Sequence, residues 1–378
     1  MNTARPLHVL IAGGGVAALE AMMALRALAG DRVAITLLAP DRDFRHRPMA
    51  VAEPFTIART RHVALADVAA DFGAHVVTGA LASVEPTARR VHTRGGEQLD
   101  YDALVIACGT RLRPAFDGAH TIDDRGLGET LRGLVRDVEQ GFTRDIAFVA
   151  PAQALWPLPL YELALMTAQR AYDMNATVDI SLISPESAPL ALFGDAVSDE
   201  LQRLLRTAGI TFHGSSFASL EHGELTLRPG GPVLRPQRVV ALPLLEGRRI
   251  AGVPSDPHGF IAVTEHGEVL GLEDVYAAGD GTSYPIKHGG LAAQQADIVA
   301  AAIAAAAGLA AVSQPPAPVL RGVLLTGGKP RFIEAELTGG AGFNSTVSDV
   351  CPWDPPAKIV ARHLGPYLAR GDRHAVGA

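Results

Sequence analysis

Apolar residues in this chain are concentrated in short runs, which are separated by polar turns or by segments with helical spacing. Runs of this kind end at Ala12, Leu38, Ala107 and Ala150. Short continuous apolar runs are typical of strands that are buried on both faces of a parallel sheet. Helical segments lie between them, so the order of elements predicts an α/β fold built from βαβ units.

The pattern changes in two parts of the chain. Between residues 74 and 93, polar and apolar residues alternate in short stretches, which predicts a small antiparallel sheet inserted before the next buried strand. After the Pro-rich stretch at 314–318, we expect short strands near 323–325 and 332–337 and then a final helix. The basic segment 43–49 is predicted to be a loop that covers a ligand or lies in solvent.

A glycine-rich turn follows the first predicted strand. Gly13, Gly15 and Ala18 form the pattern G-x-G-x-x-A. The first glycine permits a tight turn, the second lets a pyrophosphate approach the backbone, and the small third residue lets helix and strand pack closely. Val16 and Ala17 then begin the helix, where free N–H groups and the positive end of the helix dipole favour phosphate. The turn therefore predicts a dinucleotide site.

The second predicted βα turn, at residues 151–159, has the opposite character. It reads Pro-Ala-Gln-Ala-Leu-Trp-Pro-Leu-Pro and contains no glycine. Without glycine a pyrophosphate cannot come close to the backbone N–H groups. The middle of the chain is thus predicted to have the shape of a nucleotide domain without its phosphate loop. Trp156 in this turn is interpreted either as a cover for a cofactor or substrate or as a core residue.

Composition narrows the classes of function. The chain has 378 residues, 48% of them hydrophobic, and a formal net charge of −7, which argues against nucleic acid or an anionic membrane surface as partner. Its two cysteines, Cys108 and Cys351, form no C-x-x-C motif, so we expect no disulfide framework and no metal site. The start of the chain lacks the apolar core of a signal peptide, and the mostly Ala run 298–312 is short for a membrane span. A cytoplasmic location is expected.

Two further motifs follow the first one in the chain. A buried strand ends in Ala107-Cys108-Gly109-Thr110, and a later strand ends in Gly279-Asp280-Gly281 before the helix that starts near Gly290. In this order the three motifs resemble the two-dinucleotide-domain flavoproteins related to pyridine nucleotide-disulfide oxidoreductases. Within that group, Lys287 to Gln295 is similar to the flavin-proximal helix start of sulfide:quinone oxidoreductases and type II NADH dehydrogenases.

The resemblance implies a non-covalently bound FAD and a set of residues around it. The cofactor-binding residues would be Gly13, Gly15, Val16, Ala17, Ala18, Arg47, Cys108, Gly109, Thr110, Gly279, Asp280, Gly290 and Leu291. Asp280 would accept hydrogen bonds from ribityl hydroxyls, which NAD does not have. Lys287 would add positive charge near the flavin, and Glu162 matches a position where relatives carry a Glu near the nicotinamide. These two residues are the catalytic candidates.

The resemblance also implies the domain organisation. The chain would form two Rossmann-like three-layer domains and, in addition, a small C-terminal α+β part. The FAD domain would be discontinuous, at 1–118 and 255–320, with a degenerate NAD(P)-like insert at 119–254 and the C-terminal part at 321–378. The basic tail at 359–370 is interrupted by Gly-Pro, so packing on the FAD domain is favoured over a peripheral membrane contact. A homodimer is possible in such a family.

Several departures from the family leave the substrates open. The chain lacks the paired cysteines that disulfide reduction or sulfide oxidation requires, and the glycine loop for NAD(P)H is missing. The expected function is an FAD-dependent oxidoreductase acting on a small molecule, with donor and acceptor unassigned. One alternative is a quinone-linked flavoenzyme of the NAD(P)H or sulfide:quinone type. Another is a non-enzymatic flavin-binding electron carrier or sensor.

Overall fold

The computed structural model describes residues 5–123, 127–154, 156–310, 314–337 and 344–375. Within these ranges the α-helices are α1 (Val16–Ala29), α2 (Leu65–Asp71), α3 (Leu127–Glu139), α4 (Leu158–Asp173), α5 (Asp195–Thr207), α6 (Gly289–Ala306) and α7 (Leu364–Ala375). The strands are β1 (Leu7–Ala12), β2 (Val33–Ala39), β3 (Asp43–His46), β4 (Arg61–Ala64), β5 (His75–Thr78), β6 (Leu81–Glu85), β7 (Arg90–Thr93), β8 (Gln98–Asp100), β9 (Ala103–Ile106), β10 (Thr110–Arg113), β11 (His120–Thr121), β12 (Asp145–Val149), β13 (Asp179–Ile183), β14 (Ile210–His213), β15 (Phe217–Glu221), β16 (Glu224–Arg228), β17 (Val233–Leu234), β18 (Arg238–Ala241), β19 (Leu244–Gly247), β20 (Val275–Ala277), β21 (Val319–Leu324), β22 (Arg331–Glu336) and β23 (Asn344–Ser348).

The first sheet is a parallel sheet of five strands in the order β20-β9-β1-β2-β5. Its central strand β1 is apolar throughout because both faces are covered. Val9 and Ile11 pack with α1 and α6 on one face. Leu10 and Ala12 pack on the other face, which is covered by the antiparallel sheet of β6, β7 and β8. Side chains that alternate along one strand therefore serve two layers.

The second sheet repeats this plan with the order β11-β18-β12-β13-β14, again all parallel. Ile146 and Phe148 of β12 face the helices α3, α4 and α5. Ala147 and Val149 face the second antiparallel sheet, formed by β15, β16 and β17. The predicted fold class, two Rossmann-like three-layer units, is confirmed. The antiparallel pair of β10 and β19 lies between the two sheets along the chain.

The C-terminal part contacts both units. The antiparallel sheet of β21, β22 and β23 contributes Leu320 and Ile333 to the core around α4 and α5. Helix α7 packs its apolar side chains Leu364 and Leu368 into the core that contains α1. The apolar face of the predicted C-terminal helix is thus buried against the first unit.

Helix α6 is the apolar helix expected at 298–312, although it begins earlier and residues 311–312 lie outside the described residues. By length and composition alone it could cross a membrane, but half of that apolar window is buried inside the fold. Its contacts with α1 and β21 make it a core helix of this structure.

Two local predictions were wrong. The segment predicted as a loop at 43–49 begins with β3, which pairs with β4 and buries Phe44. A four-residue strand at the edge of the unit has too few positions to show an alternating pattern. The predicted position of the break in the tail at 359–370 is also wrong: residues 359–363 are not helical, and α7 begins at Leu364, so that Pro366 lies in its first turn, where proline is tolerated.

Candidate functional site

The first βα turn is shaped by its glycines. Gly13 has φ +145°, and a Cβ at this position would lie 2.2 Å from the carbonyl oxygen of Ala107. Its N–H donates to the carbonyl of Leu38 at 2.8 Å, so the turn crosses the end of the sheet in close contact with two strands. A Cβ at Gly15 would meet no atom within 4 Å. The backbone before α1 is therefore in close contact with neighbouring strands at Gly13 and borders open space at Gly15.

The other two predicted motifs meet this turn. Gly279 has φ +83°, and its Cβ would lie 3.1 Å from the Cβ of Ala17 at the start of α1. A Cβ at Gly281 would lie 3.3 Å from the carbonyl oxygen of Gly109. Parallel strands bring their carboxyl ends to one edge of the sheet, where ligands of open α/β folds bind. The first and third motifs lie about 265 positions apart in the sequence. The structure nevertheless brings all three motifs together at one edge of the first sheet.

Gln295 of α6 fixes the third motif, a role the sequence did not predict. Its Oε1 accepts the backbone N–H of Gly279 at 2.7 Å. The neighbouring Gln294 binds both the N–H and the carbonyl of Val319, at 2.9 and 2.8 Å, and so ties α6 to β21. In the structure both side chains are held by backbone groups.

Lys287 is buried just before α6. Its Nζ donates to the carbonyls of Thr282 and Tyr284, at 2.5 and 2.6 Å, and lies 4.1 Å from the centre of the Phe260 ring. Burial lowers the pKa of Lys287 to about 8, although the nearby charge of Asp280 opposes this shift. The ammonium group therefore organises the loop that follows Asp280, and its predicted catalytic role stays a prediction.

Of the other predicted cofactor residues, Cys108 and Thr110 lie together in the second motif, whereas Leu291 and Arg47 lie in other parts of the chain. Cys108 donates its Sγ–H to the carbonyl of Ala12 at 3.3 Å, and burial raises the pKa of its thiol to about 11, so the group is a neutral thiol at neutral pH. Thr110 opens β10 beside it. Leu291 is buried in the first turn of α6, whereas Arg47 is half-buried after β3.

The second βα turn offers few donors to an anion. Leu155 lies outside the described residues, but the rest of the turn is defined. The N–H of Ala154 donates to the carbonyl of Pro151, and the N–H of Leu160 donates to that of Pro157. Pro157 and Pro159 have no N–H to offer at the start of α4. Among the described residues of this turn, the prolines thus lack an N–H and the N–H groups of Ala154 and Leu160 are engaged, which leaves fewer donors for a pyrophosphate than a glycine turn offers.

Trp156 of this turn reaches the first unit. Its ring lies 4.5 Å, centre to centre, from the ring of His288, the residue that precedes α6, and 5.8 Å from that of Phe193. His288 is 7% exposed, and its Nδ1 is buried without a hydrogen-bond partner among the described residues. Burial lowers the pKa of His288 to about 4, and the charge of Lys358 adds to the effect. The imidazole is therefore neutral at neutral pH.

Glu162 forms a buried ion pair that the sequence did not predict. Its carboxylate lies 2.7 Å from Nζ of Lys358, and only 1% and 10% of the two side chains are exposed. Its Oε1 accepts the N–H of Leu325 at 3.0 Å. Burial raises the pKa of Glu162, while Lys358 and the N–H of Leu325 oppose the rise. The partner was missed because Lys358 is 196 positions away, in the C-terminal segment.

The chain matches no protein-family model and none of the curated proteins. Its fold matches solved structures. The sulfide:quinone oxidoreductase of Aquifex aeolicus superposes with a TM-score of 0.81 at 19% identity, over 92% of this chain and 87% of that one. A ferredoxin reductase of Rhodopseudomonas palustris gives 0.68 at 17% identity, over 90% and 88%. The NAD-dependent persulfide reductase of A. fulgidus gives 0.63 at 17% identity, over 87% and 64%.

The matched structures include a sulfide:quinone oxidoreductase, one of the kinds of protein that the sequence resembles. Each of these matches covers 87% or more of this chain. At these identities the likeness concerns the fold. The chain shares the fold of these sulfide:quinone oxidoreductase, ferredoxin reductase and persulfide reductase structures.

Proposed function

We propose that this protein is an FAD-dependent oxidoreductase that holds its flavin at the edge of the first sheet. Its main support is the meeting of three glycine turns beside the open space at Gly15. Bound FAD would supply the redox chemistry, and the protein would supply binding, orientation and charge. The fold, which matches sulfide:quinone oxidoreductase and ferredoxin reductase structures, favours the same class.

The residues present fit such a cofactor. The N–H groups at the start of α1 have no intrahelical partners, and no side chain caps them. The space next to Gly15 lets a pyrophosphate approach these donors. Asp280, which follows Gly279 at the same edge, provides acceptors for a polyol chain, and this favours FAD over NAD. A Cβ at Gly109 would meet no atom within 4 Å, so the second turn also borders open space at this edge.

Helix α6 would tune the flavin. His288 precedes it without a side-chain cap, so the first N–H groups, around Gly290 and Leu291, keep the positive end of the helix dipole available. Lys287 adds a buried charge close by. Both effects favour electron-rich forms of a bound ring over neutral ones, and this raises the affinity for electrons.

The electron donor is proposed to be something other than NAD(P)H bound in the usual pyrophosphate cradle. The prolines at the start of α4 and the contact of Trp156 with His288 occupy the place where such a cradle would lie. One of the matched structures is named as NAD-dependent, so the fold itself does not exclude that donor. The composition of the second turn argues against it in this chain.

A quinone-linked activity is the second candidate. Its specific support is the buried cluster of Trp156, His288, Glu162 and Lys358 near the start of α6, where a planar apolar surface lies in the same region as a proton-carrying pair. The matched sulfide:quinone oxidoreductase has this fold. Sulfide itself is disfavoured as donor because Cys108 has a high thiol pKa and no neighbouring cysteine in the sequence. An electron carrier or sensor without turnover is the remaining alternative.

Spectroscopy of the purified chain tests this proposal. We expect a flavin absorption spectrum, either as purified or after reconstitution with FAD. NADH, NADPH and sulfide are then added anaerobically, followed by a short-chain quinol and its quinone. Bleaching by the quinol and reoxidation by the quinone would support the quinone-linked candidate, and rapid bleaching by NADH or NADPH would contradict the donor proposal. A protein that binds no FAD contradicts the central proposal, and one that no donor bleaches favours the carrier or sensor.

A substitution at Gly15 separates binding from folding. Gly15→Val adds a side chain into open space with an ordinary backbone conformation, at φ −97°, so the fold should persist while the pyrophosphate position is filled. Gly133→Ala on the exposed face of α3 is the matched control, because its Cβ also meets no atom within 4 Å. We expect loss of FAD from the first variant with an unchanged far-UV spectrum, and full FAD content in the second. Equal FAD content in both would place the cofactor elsewhere.

A further inference from the structure

A cluster of three potential metal ligands lies where α1, α6 and α7 meet, outside the residues assigned to the flavin. Glu20 lies on α1 and is fully buried, Asp297 lies on α6, and His363 directly precedes α7. One ligand atom from each side chain lies within 4.8 Å of the other two. No single stretch of sequence contains these residues, so no metal-ligand motif predicted the cluster.

The contacts of Glu20 leave it able to bind a cation. Its two carboxylate oxygens accept the backbone N–H groups of His363 and Leu364, at 2.8 and 2.7 Å. A backbone hydrogen bond from Arg362 also reaches this carboxylate, so about one of its four lone-pair sites remains for a cation. The carboxylate is thereby fixed in orientation at the start of α7, which a ligand on a rigid element requires.

Asp297 is the member that the protein alone leaves unsatisfied. Its Oδ1 is buried without a hydrogen-bond partner among the described residues and lies 3.8 Å from Nε2 of His363. Buried polar atoms are rarely left without a partner. The carboxylates of Asp297 and Glu20 lie close together, and a cation between them would supply the counter-charge for both.

The nearby cations do not supply that charge. Arg362 is the adjacent positive side chain, but it is exposed to solvent, which screens its charge. Nε2 of His363 lies 3.8 Å from Oδ1 of Asp297, and a neutral imidazole has a lone pair to give to a metal ion. Two carboxylates and a neutral imidazole together make a donor set for a divalent cation.

The cluster can also be reached from solvent. A cavity of about 200 Å³ is lined by Asp297, Arg362 and His266 among others. A second cavity of about 210 Å³ is lined by Arg362, His363 and Tyr367 among others. A metal ion therefore has an entry path, which a credible site needs.

We propose that Glu20, Asp297 and His363 bind a divalent transition-metal cation of the Zn²⁺ type, which ties α7 to α1 and α6. Three protein ligands leave one position of a tetrahedral Zn²⁺ for water. Ligand atoms around such an ion lie about 3.3 Å apart, so small side-chain movements bring the observed arrangement to that geometry. The imidazole favours Zn²⁺ over Mg²⁺ and Ca²⁺, which prefer oxygen ligands.

Calorimetric titration tests this site on the full chain after treatment with a chelator. We expect one tight Zn²⁺ per chain and an increase in Tm with added Zn²⁺, since a ligand that binds the folded state stabilises it. X-ray absorption at the zinc edge should show nitrogen and oxygen ligands at about 2.0–2.2 Å with one imidazole and no sulfur. No stoichiometric binding, or a sulfur ligand, would overturn the assignment.

Variants locate the ion. Asp297→Asn and His363→Gln remove ligands without touching the carboxylate that holds α7, and each should weaken Zn²⁺ binding at least tenfold and abolish the rise in Tm. His258→Gln removes an exposed histidine and is the matched control for weak binding to surface imidazoles. Tight binding that survives in both ligand variants would place the metal elsewhere. If a ligand variant fails to fold, the absorption spectrum of the wild-type complex still decides the ligand set.

Discussion

The two βα turns of this protein occupy the same place in two similar sheets and differ in what they can bind. In the first sheet the N–H of Gly13 donates to Leu38, and in the second the N–H of Ala150 donates to Ile183, at 2.8 and 2.9 Å. The chain then runs into a glycine turn in one case and into a proline-rich turn in the other. The backbone framework of a nucleotide unit thus forms with or without a phosphate loop.

The difference arises from how closely the backbone approaches its neighbours. A Cβ at Gly13 would collide with the carbonyl of Ala107, whereas Ala150 carries its Cβ and is 1% exposed in an ordinary backbone conformation. Glycine is needed where the turn passes over an adjacent strand end to face a ligand. In the second turn, side chains such as Trp156 fill the corresponding region. The backbone there does not face a ligand, so glycine is not needed.

Replacing each of the equivalent residues Gly13 and Ala150 by the other's type gives the largest expected difference in the free energy of unfolding. Gly13→Ala adds a Cβ 2.2 Å from a carbonyl oxygen at φ +145°, so we expect loss of FAD binding and a destabilisation of several kcal/mol. Ala150→Gly removes one buried methyl group and should cost about 1 kcal/mol. Urea unfolding of both variants measures the difference. Equal costs would mean that the first turn is not constrained as the structure indicates.

Removing the ion pair beside the second turn is expected to have the next largest effect. Glu162→Gln leaves the buried ammonium of Lys358 without its partner, which typically costs 3–5 kcal/mol. Combining it with Lys358→Met removes both charges and should restore most of the lost stability. Glu224→Gln breaks an exposed pair with Arg235 and should cost about 1 kcal/mol or less. A double variant as unstable as the single one would contradict the pairing.

Lowering the pH should destabilise the protein at the contact between the second turn and α6. His288 has a pKa of about 4 in the folded protein and an ordinary value near 6.5 when unfolded. Between these values the unfolded chain binds more protons, so stability decreases as the pH falls from about 6.5 to about 4, by at most roughly 3 kcal/mol. His288→Phe keeps a ring against Trp156 and should show a smaller loss over that pH range, as measured by urea unfolding. An unchanged pH dependence would argue against this burial.

Asp280→Asn should have the smallest effect, a moderate loss of FAD affinity. It tests whether Asp280 of the first site contacts the cofactor. The amide keeps the shape but loses the charge that strengthens hydrogen bonds to ribityl hydroxyls, and we expect FAD binding about tenfold weaker, or about 1.4 kcal/mol. Asp199→Asn on the exposed surface of α5 should leave the affinity unchanged. Fluorescence titration of the apoprotein with FAD compares the two. Equal affinities would remove Asp280 from the cofactor site.

Much of the architecture could be predicted from local patterns. The apolar runs that end at Ala12 and Ala150 contain the central strands of the two sheets, because a strand buried on both faces must be apolar at nearly every position. The three glycine motifs were predicted to share one site, and the structure brings them to one edge. Residues 43–46 were missed as a strand because so short a segment has no readable period.

The side-chain partners could not be predicted in the same way. Lys358 approaches Glu162, and His288 packs on Trp156, across separations in sequence that leave no periodic signal. The metal-ligand cluster depends on three helices that meet only in the folded chain.

The amino-acid sequence by itself determined the two parallel sheets and the single glycine-rich cradle, because burial and backbone conformation constrain residues locally. Only the tertiary structure decided which charges are buried together, how the second turn is filled and where α7 is anchored. Those outcomes depend on distances between side chains from distant parts of the chain, and the cost of leaving a buried charge or polar atom unpaired is set by that geometry.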